Sequence, residues 1–216
     1  KDGEIKLQWN KTTIDWDRQE AMFREAIEGA CADLPRLAPR KKVARNCRPD
    51  LLNVIPFGDP HFGMYSWKEE TGADFDLDIA RRDLCGAVDY LVSQAPPAER
   101  CLIANLGDFF HADNLEGKTT KSGNTLDMDS RLPKVIGVGL AAMRQAIATA
   151  LTRHEQVHVI NAPGNHDDVL GMAMSIMLAN IYEKEPRIVV HDEPRRRFYL
   201  EHGKTLVGIT HGDKNK

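Results

Sequence analysis

The sequence predicts an α/β domain. Short apolar runs of strand length, 51-LLNVIPF-57, 101-CLIANL-106, 157-VHVINA-162 and 205-TLVGIT-210, are rich in β-branched residues. Segments with helical spacing separate them, and strand–helix–strand alternation of this kind implies a sheet with helices packed on it. Each predicted strand also ends in a glycine-containing cluster of polar residues, where α/β sheets bind their ligands.

The chain divides into two parts. Residues 1–49 read as an N-terminal helix followed by a basic linker. Ala21, Met22, Ala26, Ile27 and Ala30 repeat at helical spacing over residues 17–32, and Pro35 and Pro39 then break the pattern. Arg36, Arg40, Lys41, Lys42, Arg45 and Arg48 follow with no acid or aromatic residue among them, which suits a solvated linker or, as the alternative, a weak phosphate-tracking surface. Residues 50–216 carry the alternating pattern. A helix is predicted over residues 77–92, with Ile79, Leu84, Val88 and Leu91 on one face, and others over 134–151 and 169–182. Residues 185–200 read as further strand, split by a turn at 192–194. Gly137 and Gly139 lie inside the second of these helices rather than after a strand, so close helix packing explains them better than a nucleotide loop does.

Composition narrows the classes. With 216 residues, 42% hydrophobic and 28% charged, the chain resembles an ordinary globular protein long enough for one core. The longest apolar candidates, such as residues 169–181, are too short to cross a bilayer, and no membrane association is expected. The 29 Lys and Arg against 32 Asp and Glu leave a net charge of −3, too balanced for a nucleic-acid coat. Cys31, Cys47, Cys85 and Cys101 show no CxxC spacing and no signal peptide opens the chain, so reduced thiols and a cytoplasmic location are expected. The first residue is Lys1 rather than Met, which suggests a piece of a longer product.

The strand ends suggest the chemistry. Gly58-Asp59-Pro60-His61 follows the first run, Gly107-Asp108 with His111 the second, Gly164-Asn165-His166-Asp167 the third, and His211-Gly212-Asp213 the fourth. Carboxylate, imidazole and amide oxygen together make a mixed N/O site for Mn, Fe, Zn or a similar divalent ion, and not a thiolate site. Asp59 and His61, two apart on extended backbone, share a face and can chelate one ion. The two oxygens of Asp108 can bridge two. His154, His158, His191 and His202 lack this strand-end context and read as structural, as do Met172, Met174 and Met177. The polar insertion over residues 112–130 follows Asp108 closely and is expected to border the site.

The order Asp-x-His, Gly-Asp, Gly-Asn-His-Asp, His-Gly resembles the calcineurin-like metallophosphoesterase superfamily over residues 51–216. The stretch GDFFHAD is similar to SbcD-type nucleases. The overall run, including TGADFDL and THGDKNK, looks closest to phage- and prophage-encoded metallophosphoesterases. The resemblance implies a four-layer α-β-β-α sandwich and a hydrolase of phosphoric esters, a phosphodiesterase or nuclease in preference to a phosphomonoesterase. It implies two divalent metal ions, manganese first, with Fe, Zn or Mg as alternatives, and a water activated between them. Asp59 and His61 would bind the first ion, Asp108 would bridge both, and Asn165 and His211 would bind the second. His166 would stabilise the transition state or protonate the leaving group, Asp167 would orient it, and His111 would face the phosphate. The implied partner is a phosphoester substrate, with DNA or RNA as candidates.

One element departs from the pattern. The superfamily's closing Gly-His-x-His, whose histidines complete both metal sites, does not occur in these residues. Truncation of a longer chain at its C-terminal end is the favoured explanation. A degenerate site, in a non-catalytic binding domain, is the other.

Overall fold

The computed structural model describes residues 46–213, together with Arg18, Ala21, Met22, Arg24, Glu25, Ile27 and Gly29. These seven positions are helical, within the segment where a helix is predicted. Arg24 reaches into the remainder of the molecule, its Nη1 donating to Oδ2 of Asp192 at 2.7 Å. The basic stretch from Arg36 to Arg45 lies outside the described residues.

Four strands, β1 (Arg48–Phe57), β2 (Ala98–Asn105), β3 (Gln156–Asn161) and β4 (Ile188–His191), form a parallel sheet in that order. Arg48, assigned to the linker by its charge, opens β1 and pairs with Ala98. The crossovers are α2 (Leu77–Gln94), α3 (Leu132–Leu151) and α4 (Asp168–Tyr182), and a single turn, α1 (Lys68–Thr71), precedes α2. A hairpin of β5 (Phe198–His202) and β6 (Thr205–Ile209) makes a separate antiparallel sheet.

Alternation along the central strands builds two cores. Cys101, Ile103, Val157 and Val159 face the helices and pack with Leu84, Val88, Met143, Ile147, Met174 and Leu178. Leu102, Ala104 and Ile160 point the other way and pack with Phe198 and Ile209 of the hairpin. The described residues therefore stack as helices, parallel sheet and hairpin. Because β2 and β3 are covered on both faces, they read as nearly continuous apolar runs.

Local signals set the helix boundaries. Asp76 caps α2 by accepting from the Ile79 amide at 2.7 Å, and Pro133 sits in the first turn of α3, where its missing N–H costs nothing. By length and mean hydropathy, 20 residues and 1.2, α3 is apolar enough to cross a membrane. That corrects the expectation that no segment reaches this length, which overlooked α3 because Lys134 and Arg144 interrupt its apolar run. Here α3 is a core helix, with Val135, Ala142, Met143, Ala146, Ile147 and Ala150 almost completely buried.

Candidate metal centre

Strand register brings the polar clusters together. Phe57 pairs with Asn105 and Asn105 with Asn161, so β1, β2 and β3 finish level and their loops leave from one edge. The first two loops zip together beyond the sheet. The Asp59 amide donates to the Gly107 carbonyl, that of His61 to Asp108, that of Phe62 to Phe109, and that of His111 back to Phe62. Beneath them lies a fully buried aromatic floor in which Phe62 stacks on Phe109 at 4.7 Å and Phe110 meets Phe109 edge-on at 5.0 Å. Gly139 of α3 admits this floor, since a Cβ there would stand 2.6 Å from Phe110 Cε1. The packing explanation thus holds for Gly139, whereas Gly137 has open space around it.

The turns carrying the ligand candidates are strained. Asp59, His61 and Asp108 have φ of 52°, 43° and 51°, so Asp59 and His61 do not lie on the extended backbone expected of them but in a region that non-glycine residues seldom occupy. Two glycines permit the closest approaches. A Cβ on Gly107 would meet His211 Nδ1 at 2.4 Å, and one on Gly164 would meet Asp108 Oδ1 at 1.9 Å.

His211 arrives from β6, in the other sheet. Its Nδ1 lies 3.1 Å from the Leu106 carbonyl, an acceptor only, so Nδ1 donates there and Nε2 is turned toward the polar cluster. Nε2 faces Oδ1 of Asn165 at 3.0 Å and Oδ2 of Asp108 at 3.4 Å. An imidazole nitrogen, an amide oxygen and a carboxylate oxygen thus stand together, a mixed donor set that suits a divalent cation. Metal-bound histidines are commonly fixed in this way, the far nitrogen donating to a carbonyl. Asp59 Oδ1 is 3.8 Å from the same ring, and Asp59, Asp108 and His211 form one group able to hold an ion. The other oxygen of Asp108 accepts from the His166 amide at 2.8 Å, which ties the third loop to the second.

A second group comprises His61, His111 and His166. His61 and His111 approach to 3.2 Å between their Nδ1 atoms. His166 Nδ1 lies 2.9 Å from the His111 carbonyl, so it too donates there and keeps Nε2 for a ligand. Burial, with His61 and His166 adding like charge, pushes the His111 pKa down to about 4, and burial followed by His166 lowers that of His61. Both rings are therefore neutral near pH 7, as ligand imidazoles must be.

Asp167 has a different partner from the one the resemblance implies. Its two carboxylate oxygens accept the amides of Gly164, at 2.9 Å, and Phe110, at 3.1 Å, while the His166 ring turns to the His111 carbonyl. Asp167 is completely buried, and desolvation lifts its pKa to about 6 despite those two bonds. It pins the third loop to the second.

Other contributors could not be singled out from the sequence. Asp113 accepts the Val169 and Leu170 amides at 2.8 and 2.7 Å, satisfying the first turn of α4 from a distant loop. Asn105 and Asn161 form a buried amide pair at 2.6 Å behind the ligand loops. The insertion over residues 112–130 lies beside the first ligand loop, for the Asp127 carbonyl accepts the Tyr65 amide and the Asp129 amide donates to the Gly63 carbonyl. Of the other histidines, His154 bonds to Ala150 and Asn53, and His158 to His191 and Gln156, away from the ligand loops.

No family model, no curated protein and no solved structure matches the chain. The site therefore rests on its own geometry. Histidine and aspartate groups able to bind a metal ion are present at the edge of a parallel sheet, and their mixed oxygen and nitrogen donors suit a divalent cation.

Proposed function

We propose that this protein is a metal-dependent phosphoester hydrolase of the calcineurin-like type, acting on phosphodiesters in preference to monoesters. The observation that carries the proposal is the grouping of Asp59, Asp108 and His211, whose ligand atoms lie within 4.8 Å of one another, with Asn165 Oδ1 3.0 Å from His211 Nε2. Asp59 and His61 would hold one ion, Asn165 and His211 another, with Asp108 between them. Two divalent ions held there would supply Lewis acidity toward phosphoryl oxygens and water acidified to near-neutral pKa.

The chain's own groups supply positioning. His166 presents Nε2 because Nδ1 is committed to the His111 carbonyl, so it is oriented toward a phosphoryl or leaving-group oxygen without a carboxylate partner. His111, neutral and beside His61, offers a second phosphate-facing imidazole, the feature that favours a diester. The four-layer sandwich of the superfamily remains part of this proposal. The helices, parallel sheet and hairpin are compatible with such an α/β arrangement.

The test is hydrolysis of bis-p-nitrophenyl phosphate, p-nitrophenyl phosphate and single- and double-stranded DNA with Mn²⁺, alongside calorimetric measurement of Mn²⁺ binding. Metal-dependent turnover, fastest on a diester and reduced on the order of 10²-fold or more by Asp108→Asn, is the expected result. Mn²⁺ binding without turnover on any substrate would point to a binding domain. Absence of both, or an Asp108→Asn protein as active as its parent, would overturn the proposal.

A further inference from the structure

The three imidazoles form a second group beside the oxygen-rich one, and their geometry has a use of its own. His111 and His166 are stacked, 5.5 Å between centroids and 13° between planes. His61 meets both edge-on, at 84° and 83° with centroids 5.0 and 4.9 Å away. One nitrogen from each ring falls within 4.8 Å of the others. Nitrogens bound ~2.0–2.1 Å from a tetrahedral zinc ion lie roughly 3.3 Å apart, and the Nδ1 atoms of His61 and His111 are already at 3.2 Å. His166 has its Nδ1 fixed on a carbonyl, the second-sphere bond typical of a metal-bound histidine.

We infer that His61, His111 and His166 form a three-imidazole site that captures a borderline ion such as Zn²⁺, competing for His61 with the carboxylate-containing group of Asp59, Asp108 and His211. Three nitrogen donors with an open fourth position favour Zn²⁺ or Co²⁺ over Mn²⁺ or Mg²⁺, whose preference is for oxygen. In one respect this rests on the function proposed above. An ion bound there occupies His111 and His166 and draws His61 from the ion beside Asp59, so Zn²⁺ would inhibit hydrolysis.

Binding can be read without substrate, by titrating the metal-free protein with Co²⁺ and recording its visible absorption. A saturable, intense band of the tetrahedral type is expected, which Zn²⁺ displaces, which His111→Gln and His166→Gln each abolish, and which Asp59→Asn leaves in place. No such band in the parent, a band that survives either histidine substitution, or one lost with Asp59→Asn would overturn the inference. Circular dichroism confirms folding of each variant, and His166→Gln, at a half-buried position, carries the test if His111→Gln fails to fold. Because no turnover is measured, a failed hydrolase assay leaves this result standing, and a failed Co²⁺ titration leaves the hydrolase proposal standing.

Discussion

Gly164 and Gly107 show how individual residues build the site by what they lack. Asp108 can accept from the His166 amide only because no side chain projects from Gly164, and His211 can lie against the second loop only because none projects from Gly107. Gly164→Ala should therefore lose about 1–3 kcal/mol or more of stability, since its Cβ would collide with both the Asp108 carboxylate and the Asp108 backbone nitrogen, neither of which can easily yield. Denaturant unfolding measures the loss, and calorimetry should show weakened Mn²⁺ binding in the folded fraction. An alanine protein with parental stability and affinity would contradict the contact. Asp59, His61, Asp108, Asn165 and His211 were legible in the sequence because each belongs to a short motif after an apolar run. The direction in which Asp167 and His166 point was not, because two adjacent residues can turn toward different loops and only packing selects which.

Among the elements, α4 depends on side chains remote in sequence. Its N-terminal amides are held by Asp113 and by the Asp167 carbonyl, and its Gly171 carbonyl receives Nδ2 of Asn161 at 2.7 Å. Asn161 also accepts from Asn105, so a chain of buried amides joins the ends of β2 and β3 to the helix that follows the third ligand loop. Asn161→Ala should cost about 1–3 kcal/mol by stranding the buried Asn105 amide, a drop of several degrees in thermal midpoint. A midpoint unchanged by this substitution would show that the amide chain contributes nothing. The strands and helices themselves were legible from period and length, β4 and β5 from a stretch split by a turn and β6 from an apolar run of its own. The amide chain was not: asparagine near a strand end reads first as a turn residue, and its partners lie 56 positions away in one direction and 10 in the other.

For the whole molecule, burial between the two sheets has a consequence for acid stability. His158 projects from β3, bonds to His191 on β4, and is almost fully buried, which pushes its pKa from 6.5 down to about 4, with the His191 and Arg100 charges adding to the effect. The unfolded chain therefore takes up this proton first as pH falls. The stability that depends on a neutral His158 is complete above pH 6.5 and is lost progressively toward pH 4. His158→Asn should flatten the decline of the thermal midpoint over that interval, and a slope equal to that of the parent would refute the assignment. The sequence by itself determined the α/β class, the position of nearly every strand and helix, and the ligand candidates, because hydrophobic period and strand-end composition are local quantities. Only the tertiary structure decided that the clusters meet. Level register places three of them on one sheet edge, while the hairpin, packed on Leu102, Ala104 and Ile160, carries His211 to the same point from a second sheet. It also sorted the donors into an oxygen-rich and an all-imidazole group, since that division depends on side-chain directions fixed by backbone strain and packing across segments far apart in the chain.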